Sequence, residues 1–251
     1  MAQQVKMKTL PFALSVLLTA LFVPIMPLKT LGADSAPNQL TEEEKKGGWK
    51  LLFDGKSTAG WRAVKKQTFP AKGWTVEDGW LHCQGQGGGD IVTEESFDQF
   101  ELKWEWKQAK GGNSGLKYFV TEKGSSALGH EYQLIDDKEH PDAKAGNGKR
   151  VTASFYDVLK PDRPPPTKPP GEINSSRIVV KGTGVEHWLN GEKVLAYSCS
   201  SEAIKEAIAQ SKFKGDPDFD ARVKGPILLQ DHHSEVWFRN IEIREISDSK
   251  P

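Results

Sequence analysis

The chain has 251 residues, with 34 basic and 34 acidic side chains, so its formal net charge is zero. A chain of this length is long enough to bury one substantial hydrophobic core. Its near-neutral charge gives no reason to expect nucleic acid or an anionic membrane surface as a partner.

The first 33 residues have the order of charged, apolar and small residues that is typical of a secretory signal. Lys6 and Lys8 precede an apolar run over residues 10–28, and Gly32-Ala33 follows it. We therefore predict a signal peptide over residues 1–33 and export to the periplasm or the extracellular space. No stable membrane insertion is expected after cleavage, and a retained N-terminal anchor is the alternative.

A short helix is predicted at the end of a polar tail over residues 34–47. Thr41 and Glu44 have the spacing of a capping box, in which each side chain satisfies a backbone amide at the helix start. The pair Gly47-Gly48 should end that helix within two turns.

Short strands separated by turn signals fill most of the remaining chain. Asp78-Gly79 and Asn190-Gly191 each lie between alternating apolar residues, a strong signal for a two-residue hairpin. One further helix is predicted over Ser201–Phe213. About a dozen short strands with little helix predict an all-β antiparallel sandwich over residues 48–246, with one or two peripheral helices and a C-terminal tail at 247–251.

Two cysteines and eight tryptophans add weaker constraints. Export would place Cys83 and Cys199 in an oxidising compartment, where either a disulfide or two separate buried thiols is compatible with the sequence. Most of the tryptophans are expected in the core, because each buries a large apolar surface. One or two of them could instead stack against a sugar.

A predicted strand over residues 113–120 and the strand that follows it carry the first functional signal. Because side chains alternate along a strand, Lys117 and Phe119 should share one face, opposite an apolar row. Glu131 and Gln133 should likewise share a face of the next strand. If the strands pair, one sheet face presents a lysine, a carboxylate and an amide. Such a face can bind a polyhydroxylated ligand and transfer protons.

The predicted catalytic residues are Glu131, His232, Lys117 and Asp136. Alternation places Gln230 on the same face as His232. Glu131 and Asp136 are five positions apart, so a regular strand directs them to opposite faces, and both can line one cleft only if the strand ends near Ile135. Each residue also has an ordinary structural explanation: a strand glutamate is often a surface charge, and a histidine after a buried strand is often a loop anchor.

Several longer motifs resemble one family over most of the chain, from about Gly48 to Ile246. These motifs read NSGLKYFV, GHEYQLIDDKEHPDA, RIVVKGTGVEHWLNGEKVLAY and GPILLQDHHSEVWFRNIEIREI. Together with LFDGKSTAGW and GGDIVTEESFDQFELKWEW, they are similar to the DUF1080 family, also called the 3-keto-disaccharide hydrolase domain. The resemblance implies a concanavalin-like jelly roll of two curved antiparallel sheets with a cleft on the concave face.

This resemblance also implies a reaction on 3-keto-glycosides or 3-keto-disaccharides. The ketone acidifies the proton on C2, so the glycosidic bond can break by elimination or by net hydrolysis. We expect His232 or Glu131 to act as the base at C2 and the other as the acid, with Lys117 stabilising the enolate. The predicted substrate-binding residues are Asn113, Gln133, Gln230, Glu105 and Tyr156.

Asp136 could orient a catalytic side chain or join a divalent-cation site, and no other cofactor is evident. An oligosaccharide or glycoside is the expected partner. Two alternatives stay open at this point. The same sandwich could be a non-catalytic carbohydrate-binding module, or it could be a conventional glycoside hydrolase. The latter needs two carboxyl groups ~5 to 9.5 Å apart across strands.

Overall fold

Two antiparallel β-sheets pack face to face around one hydrophobic core. The structure is a computed structural model that describes Met1 and residues 36–123 and 127–247. These strands belong to a single compact unit, Ser35–Pro251. Apart from Met1, the predicted signal peptide at 1–33 lies outside the described residues, as do residues 248–251 of the predicted tail.

The larger sheet contains eight strands of the described residues, in the order β11-β10-β9-β6-β13-β4-β3, with β1 alongside β13. These strands are β1 (Lys50–Leu51), β3 (Trp74–Glu77), β4 (Trp80–Gln84), β6 (Phe100–Gln108), β9 (Asn174–Lys181), β10 (Gly184–Leu189), β11 (Glu192–Ser198) and β13 (Glu235–Glu245). The smaller sheet has five strands in the order β2-β5-β12-β7-β8. These strands are β2 (Trp61–Ala63), β5 (Ile91–Thr93), β7 (Asn113–Thr121), β8 (Leu128–Ile135) and β12 (Leu228–Leu229).

The helices are short and lie outside the two sheets. They are α1 (Glu42–Lys46), α2 (Pro141–Lys144) and α3 (Glu202–Ala209), with a single 3-10 turn at Gly146–Gly148. The predicted capping box is confirmed, because Thr41 accepts from the Glu44 amide while the Glu44 carboxylate accepts from the Thr41 amide. No helix of the described residues is long and apolar enough to cross a membrane.

The helix predicted over Ser201–Phe213 is shorter than expected. It begins after its N-cap Ser201 and ends at Ala209. Beyond that point the Ser211 hydroxyl donates to the carbonyl of Ile208 and accepts from the Phe213 amide. These local bonds replace the helical pattern, so the chain turns away where the sequence predicted one further turn of helix.

Both predicted two-residue hairpins are confirmed. Asp78 and Gly79 have φ values of 47° and 76°, and Asn190 and Gly191 have φ values of 48° and 85°. Positive φ at both central residues is what the type I′ hairpin turn requires, and Asn, Asp and Gly tolerate it best. Local backbone preferences therefore determine these two connections.

The core is formed by the inner faces of the two sheets. Trp104 of β6 packs edge-on against Tyr132 of β8, with ring centroids 5.0 Å apart. Of the eight tryptophans, Trp49, Trp188 and Trp237 are only partly buried, and each has a lysine or arginine over its ring. Those faces are occupied by cations, which argues against the sugar-stacking use that the sequence left open for them.

Phe119 departs from the predicted alternation, which was wrong for this residue. Its φ of 54° marks a bulge, and the register of the strand shifts just after Tyr118. The Phe119 ring packs 5.1 Å from Tyr118 in the main core, away from the face of Lys117. Val120 packs instead with Val92 in a separate cluster. A bulge adds one residue and reverses the facing of those that follow.

The two cysteines do not pair. Cys83 and Cys199 are both buried free thiols. Burial raises the pKa of each thiol to about 12, so neither is a reactive thiolate near neutral pH. Of the two alternatives left open by the sequence, the structure shows two separate buried thiols.

A chain of hydrogen bonds between buried polar side chains joins the two sheets. Tyr118 of β7 contacts His187 of β10 at 2.7 Å and Tyr197 of β11 at 2.6 Å. His130 of β8 extends the chain to Tyr197 at 2.8 Å, and His187 reaches the Ala153 carbonyl at 2.9 Å. Every link joins groups that would be costly to bury alone.

Because this hydrogen-bonded network buries His130 and His187, we expect the stability of the protein to fall in acid. Burial lowers the pKa of His130 to about 3 and that of His187 to about 4, whereas an unfolded histidine titrates near about 6.5. Below that pH the unfolded chain binds protons that the folded protein excludes, so the free energy of unfolding should fall by up to about 1.4 kcal/mol per pH unit for each histidine. Denaturant titrations at successive pH values measure this loss, and NMR spectra showing either ring charged in the folded protein near pH 5 would contradict it.

Candidate active site on the smaller sheet

The pairing of β7 with β8 places the central charged residues side by side. Lys117 lies directly opposite Glu131, and Gly115 lies opposite Gln133. The Lys117 Nζ is 3.8 Å from Glu131 Oε2, and both side chains are largely buried. They lie on the face of the smaller sheet turned away from the larger one, because their neighbours Leu116 and Tyr132 fill the core. The predicted shared face of lysine and carboxylate is therefore present.

Gly115 makes room for the carboxylate of Glu131. A methyl group at Gly115 would clash with Glu131 Oε1 and would lie 2.9 Å from Glu131 Cδ. The backbone at Gly115 does not require positive φ, so the need for glycine here is one of space. The glutamate therefore lies across β7 in the gap that the missing side chain leaves.

The third strand of the site brings a second amide and an imidazole. β12 pairs with β7, and the chain continues so that the Gln230 amide donates to the Gly115 carbonyl at 3.0 Å. Ser114 Oγ donates to the Gln230 carbonyl at 2.8 Å, which fixes this extension. The Gln230 Oε1 is buried with no hydrogen-bond partner among the described residues. His232 follows two positions later and is exposed.

A loop segment closes the open edge of β8. The amide of Ala153 donates to the Gln133 carbonyl at 2.9 Å, and the amide of Tyr156 donates to the Glu131 carbonyl at 3.1 Å. The Tyr156 hydroxyl in turn donates to Asp142 Oδ2 at 2.7 Å. The long loop after β8 thus pairs with the free edge of β8, and it holds Tyr156 beside Glu131.

Lys212 reaches the same place from the segment after α3 and was not found from the sequence. Its backbone amide donates to Asp157 Oδ2 at 2.7 Å. Much of the residue remains exposed to solvent, while its Nζ lies 4.1 Å from the centroid of the Tyr156 ring and is partly shielded from water. The local sequence gives no signal for this placement, because it depends on contacts between segments far apart in the chain.

These residues line a pocket that is partly open to solvent. Seven of the predicted site residues line it: Asn113, Lys117, Glu131, Gln133, Tyr156, Gln230 and His232. The structure adds Lys212 and Phe213 to this set. Glu131 is the one carboxylate that lines the pocket in the described part of the chain.

The charges in the pocket influence one another. Burial raises the pKa of Glu131 above its usual range, and the ammonium groups of Lys117 and Lys212 oppose that rise. Burial lowers the pKa of Lys212, although the charge of Glu131 opposes the change. Asp90, a second group not found from the sequence, has its pKa raised by burial and lies near enough to Lys117 to feel its charge. Shifts of this kind are typical of sites that transfer protons.

Asp136 is not brought to the pocket, in contrast to its predicted role. β8 does end at Ile135, as a shared cleft would need, yet the carboxylate of Asp136 is taken up by backbone amides. It accepts from Gly111 at 2.9 Å, from Lys138 at 3.1 Å and from Glu139 at 3.2 Å. Burial tends to raise the pKa of Asp136, but these amides outweigh it and the pKa is lowered. The residue anchors a turn.

A divalent cation, the other role considered for Asp136, stays a prediction. No group of three or more His, Cys, Asp or Glu side chains in residues 36–123 and 127–247 is arranged to hold a metal ion. Glu105 also lies elsewhere than predicted. It belongs to β6 of the larger sheet, where its carboxylate accepts from Arg239 Nε at 2.7 Å.

Fold and pocket together define a class: a β-sandwich with a polar, charged cleft on the outer face of one sheet, suited to a polyhydroxylated ligand. Residues 48–244 match the model of the family described as 3-keto-alpha-glucoside-1,2-lyase-like domain. The chain therefore belongs to this family of carbohydrate-active enzymes, and the resemblance seen in the motifs is confirmed.

Three individual proteins extend the comparison. A protein of Bacteroides thetaiotaomicron named 3-keto-disaccharide hydrolase is 39% identical over an alignment of 229 positions, and the match covers 78% of each chain. A crystal structure from Parabacteroides distasonis, provisionally assigned as a glycosyl hydrolase, is 38% identical with a TM-score of 0.78, covering 84% of this chain and all of the other. A second structure from that organism, with the same provisional assignment, is 26% identical with a TM-score of 0.64, covering 79% and 99% of the two chains.

A substitution at Gly115 tests whether the gap beside this residue positions the Glu131 carboxylate. In Gly115→Ala the new methyl group should push the Glu131 carboxylate out of its position, while the main chain keeps its conformation. Displacement of a reacting group by about 1 Å typically costs about 10²-fold in rate, so we expect a loss of that order in kcat/KM with little change in Tm. Full activity in this variant would show that the position of Glu131 is not critical.

Proposed function

We propose that this protein cleaves 3-keto-glycosides by removing the proton on C2 and eliminating the group on C1. The single observation that carries this proposal is the buried Glu131 beside Lys117, with a Nζ to Oε2 distance of 3.8 Å, in a pocket lined by no second carboxylate of the described residues. One base next to one cation suits an elimination through an enolate. Conventional retaining or inverting hydrolysis uses two carboxyl groups that flank the bond.

The chemistry of the substrate explains why one carboxylate is sufficient. A ketone at C3 acidifies the neighbouring proton on C2, so a base can remove it and leave an enolate. The electrons of the enolate then expel the glycosidic oxygen from C1. This route avoids the oxocarbenium ion that the two carboxylates of a conventional glycosidase serve to stabilise.

Burial distinguishes Glu131 from His232, the two residues that the sequence left interchangeable as base and acid. Glu131 is 5% exposed and has a raised pKa, which brings a carboxylate closer to the range useful for a general base. His232 is exposed and lies at the end of the chain extension from β12. We therefore assign the C2 proton to Glu131 and place His232 among the groups that contact the substrate.

The other polar side chains of the pocket can stabilise the enolate or bind the sugar hydroxyls. Lys117 is the cation nearest to Glu131, so it can stabilise the negative oxygen of the enolate as the proton leaves. Asn113, Gln133 and Gln230 offer amide groups to sugar hydroxyls. The buried, unpartnered Oε1 of Gln230 is an acceptor that such a hydroxyl would satisfy.

We also propose that the protein acts after export, on the basis of its N-terminal charged, apolar and small residues. Periplasmic or extracellular fractions should contain a chain that begins near residue 34. Recovery of the uncleaved chain from the membrane fraction would instead support the retained anchor.

The substrate class is tested by comparing a 3-keto-glucoside with its unoxidised parent. We expect release of the leaving group from the keto compound alone, because only its C2 proton is acidic. Glu131→Gln should reduce that release by about 10²-fold to 10⁴-fold, the usual contribution of a general base. Equal release from both compounds would disprove the mechanism. Calorimetric binding of the sugar without any product would favour the carbohydrate-binding alternative.

The pH dependence of the reaction provides a second test. A base must be deprotonated to act, so kcat/KM should fall as the pH falls through the pKa of Glu131 in the free enzyme. The charge of Lys117 lowers that pKa, so Lys117→Met should move the acidic limb of the profile to higher pH as well as slow the reaction. A limb that stays in place would show that the two groups are not coupled.

A further inference from the structure

A second pocket adjoins the first along the start of β8. Its lining includes Asp216, Asp218 and Phe219. Leu128 and Gly129 line both pockets. The two spaces are therefore neighbours, separated only at this short stretch of strand.

One chain segment contributes to both pockets. Lys212 and Phe213 line the first, and the segment then turns so that Asp216, Asp218 and Phe219 line the second. The rings of Phe213 and Phe219 stack with centroids 3.8 Å apart, which holds the two halves of the segment together. Lys212 therefore lines the first pocket, and residues that follow it in the same segment line the second.

A substrate built of two units would fill this pair of pockets in a defined way. The keto sugar must lie beside Glu131 and Lys117 in the first pocket, where its C2 proton meets the base. The group attached to C1 then extends toward the second pocket. In that pose the oxygen that joins the two units lies at the boundary of the two pockets, and Lys212 lines the first of them.

The environment of Lys212 suits a group that gives up a proton. Lys117 forms an ion pair with Glu131, whereas no carboxylate of the described residues lies within ion-pair distance of the Lys212 Nζ. The Lys212 Nζ lies 4.1 Å from the centroid of the Tyr156 ring and 5.0 Å from that of the Phe213 ring. An ammonium that has lost part of its hydration gives up its proton more readily than a fully hydrated one, and this loss of hydration lowers the pKa of Lys212.

We propose that Lys212 is the catalytic acid that protonates the glycosidic oxygen as the leaving group departs toward the second pocket. This inference rests on the elimination proposed above. Glu131 takes the proton from C2, and the electron pair of that C–H bond forms the enolate. The C1–O bond then breaks with its electron pair on oxygen, and the Lys212 ammonium supplies the proton that converts this oxygen to a hydroxyl.

The step is balanced without a further reactant. The products are an unsaturated 3-keto sugar with a double bond between C1 and C2 and the free leaving alcohol. Glu131 ends protonated and Lys212 ends neutral, so transfer of one proton from the acid to the amine through solvent restores the starting state.

Leaving-group dependence distinguishes this role from a structural one. A disaccharide leaves as a poor alkoxide and needs an acid, whereas 4-nitrophenolate is stable without one. Lys212→Met should therefore lower kcat/KM on a 3-keto-disaccharide by about 10²-fold or more and change it little on 4-nitrophenyl 3-keto-glucoside. Lys214→Met is the matched control: Lys214 is exposed, lines neither pocket and should affect neither substrate.

His232→Gln, measured with the same two substrates, tests the competing donor. A leaving-group-dependent loss in His232→Gln instead of Lys212→Met would overturn the assignment and leave the elimination intact. Equal losses on both substrates in Lys212→Met, with Tm unchanged, would also overturn it. Wild-type protein that cleaves neither keto compound would refute the elimination itself, and the role of Lys212 with it.

Discussion

The register between β7 and β8 is the constraint on which the site depends. Pairing Lys117 with Glu131 brings an amine and a carboxylate together, and pairing Gly115 with Gln133 opens the gap in which that carboxylate lies. A shift by one residue would turn every side chain of the strand to the other face of the sheet. The apolar residues that alternate with the site residues prevent such a shift, because they fill the core. The residues that pack the core of the sandwich therefore also determine where the charged side chains of the site lie.

Strand alternation and turn chemistry made much of this arrangement predictable. Lys117, Glu131 and Gln133 could be placed on one face because the period of a strand is two residues, and Gln230 with His232 followed from the same rule. The hairpins at Asp78-Gly79 and Asn190-Gly191 depend only on local backbone preferences. Where the geometry is set within a few residues, the sequence was informative.

The structure differs from the predictions where contacts between distant segments of the chain determine the position of a residue. Lys212 enters the pocket because its amide bonds to Asp157 and its ammonium lies over Tyr156, neither of which is visible in its own neighbourhood of the chain. Asp136 leaves the site because three backbone amides take up its carboxylate. Phe119 turns into the core through a bulge, and a bulge breaks the alternation from which its facing was inferred.

The hydrogen bonds between the sheets have a single direction. The carbonyl of Ala153 can only accept, so His187 donates from Nδ1 and must accept at Nε2 from Tyr118. Tyr118 then accepts from Tyr197, which accepts from His130 Nδ1, so the Nε2 of the neutral His130 ring carries no proton and lies 3.7 Å from Asp220 Oδ1. Each tautomer is thereby dictated by one main-chain oxygen at the far end. These hydrogen bonds therefore allow only one arrangement of their protons. A displacement of one sheet relative to the other would break all of them together.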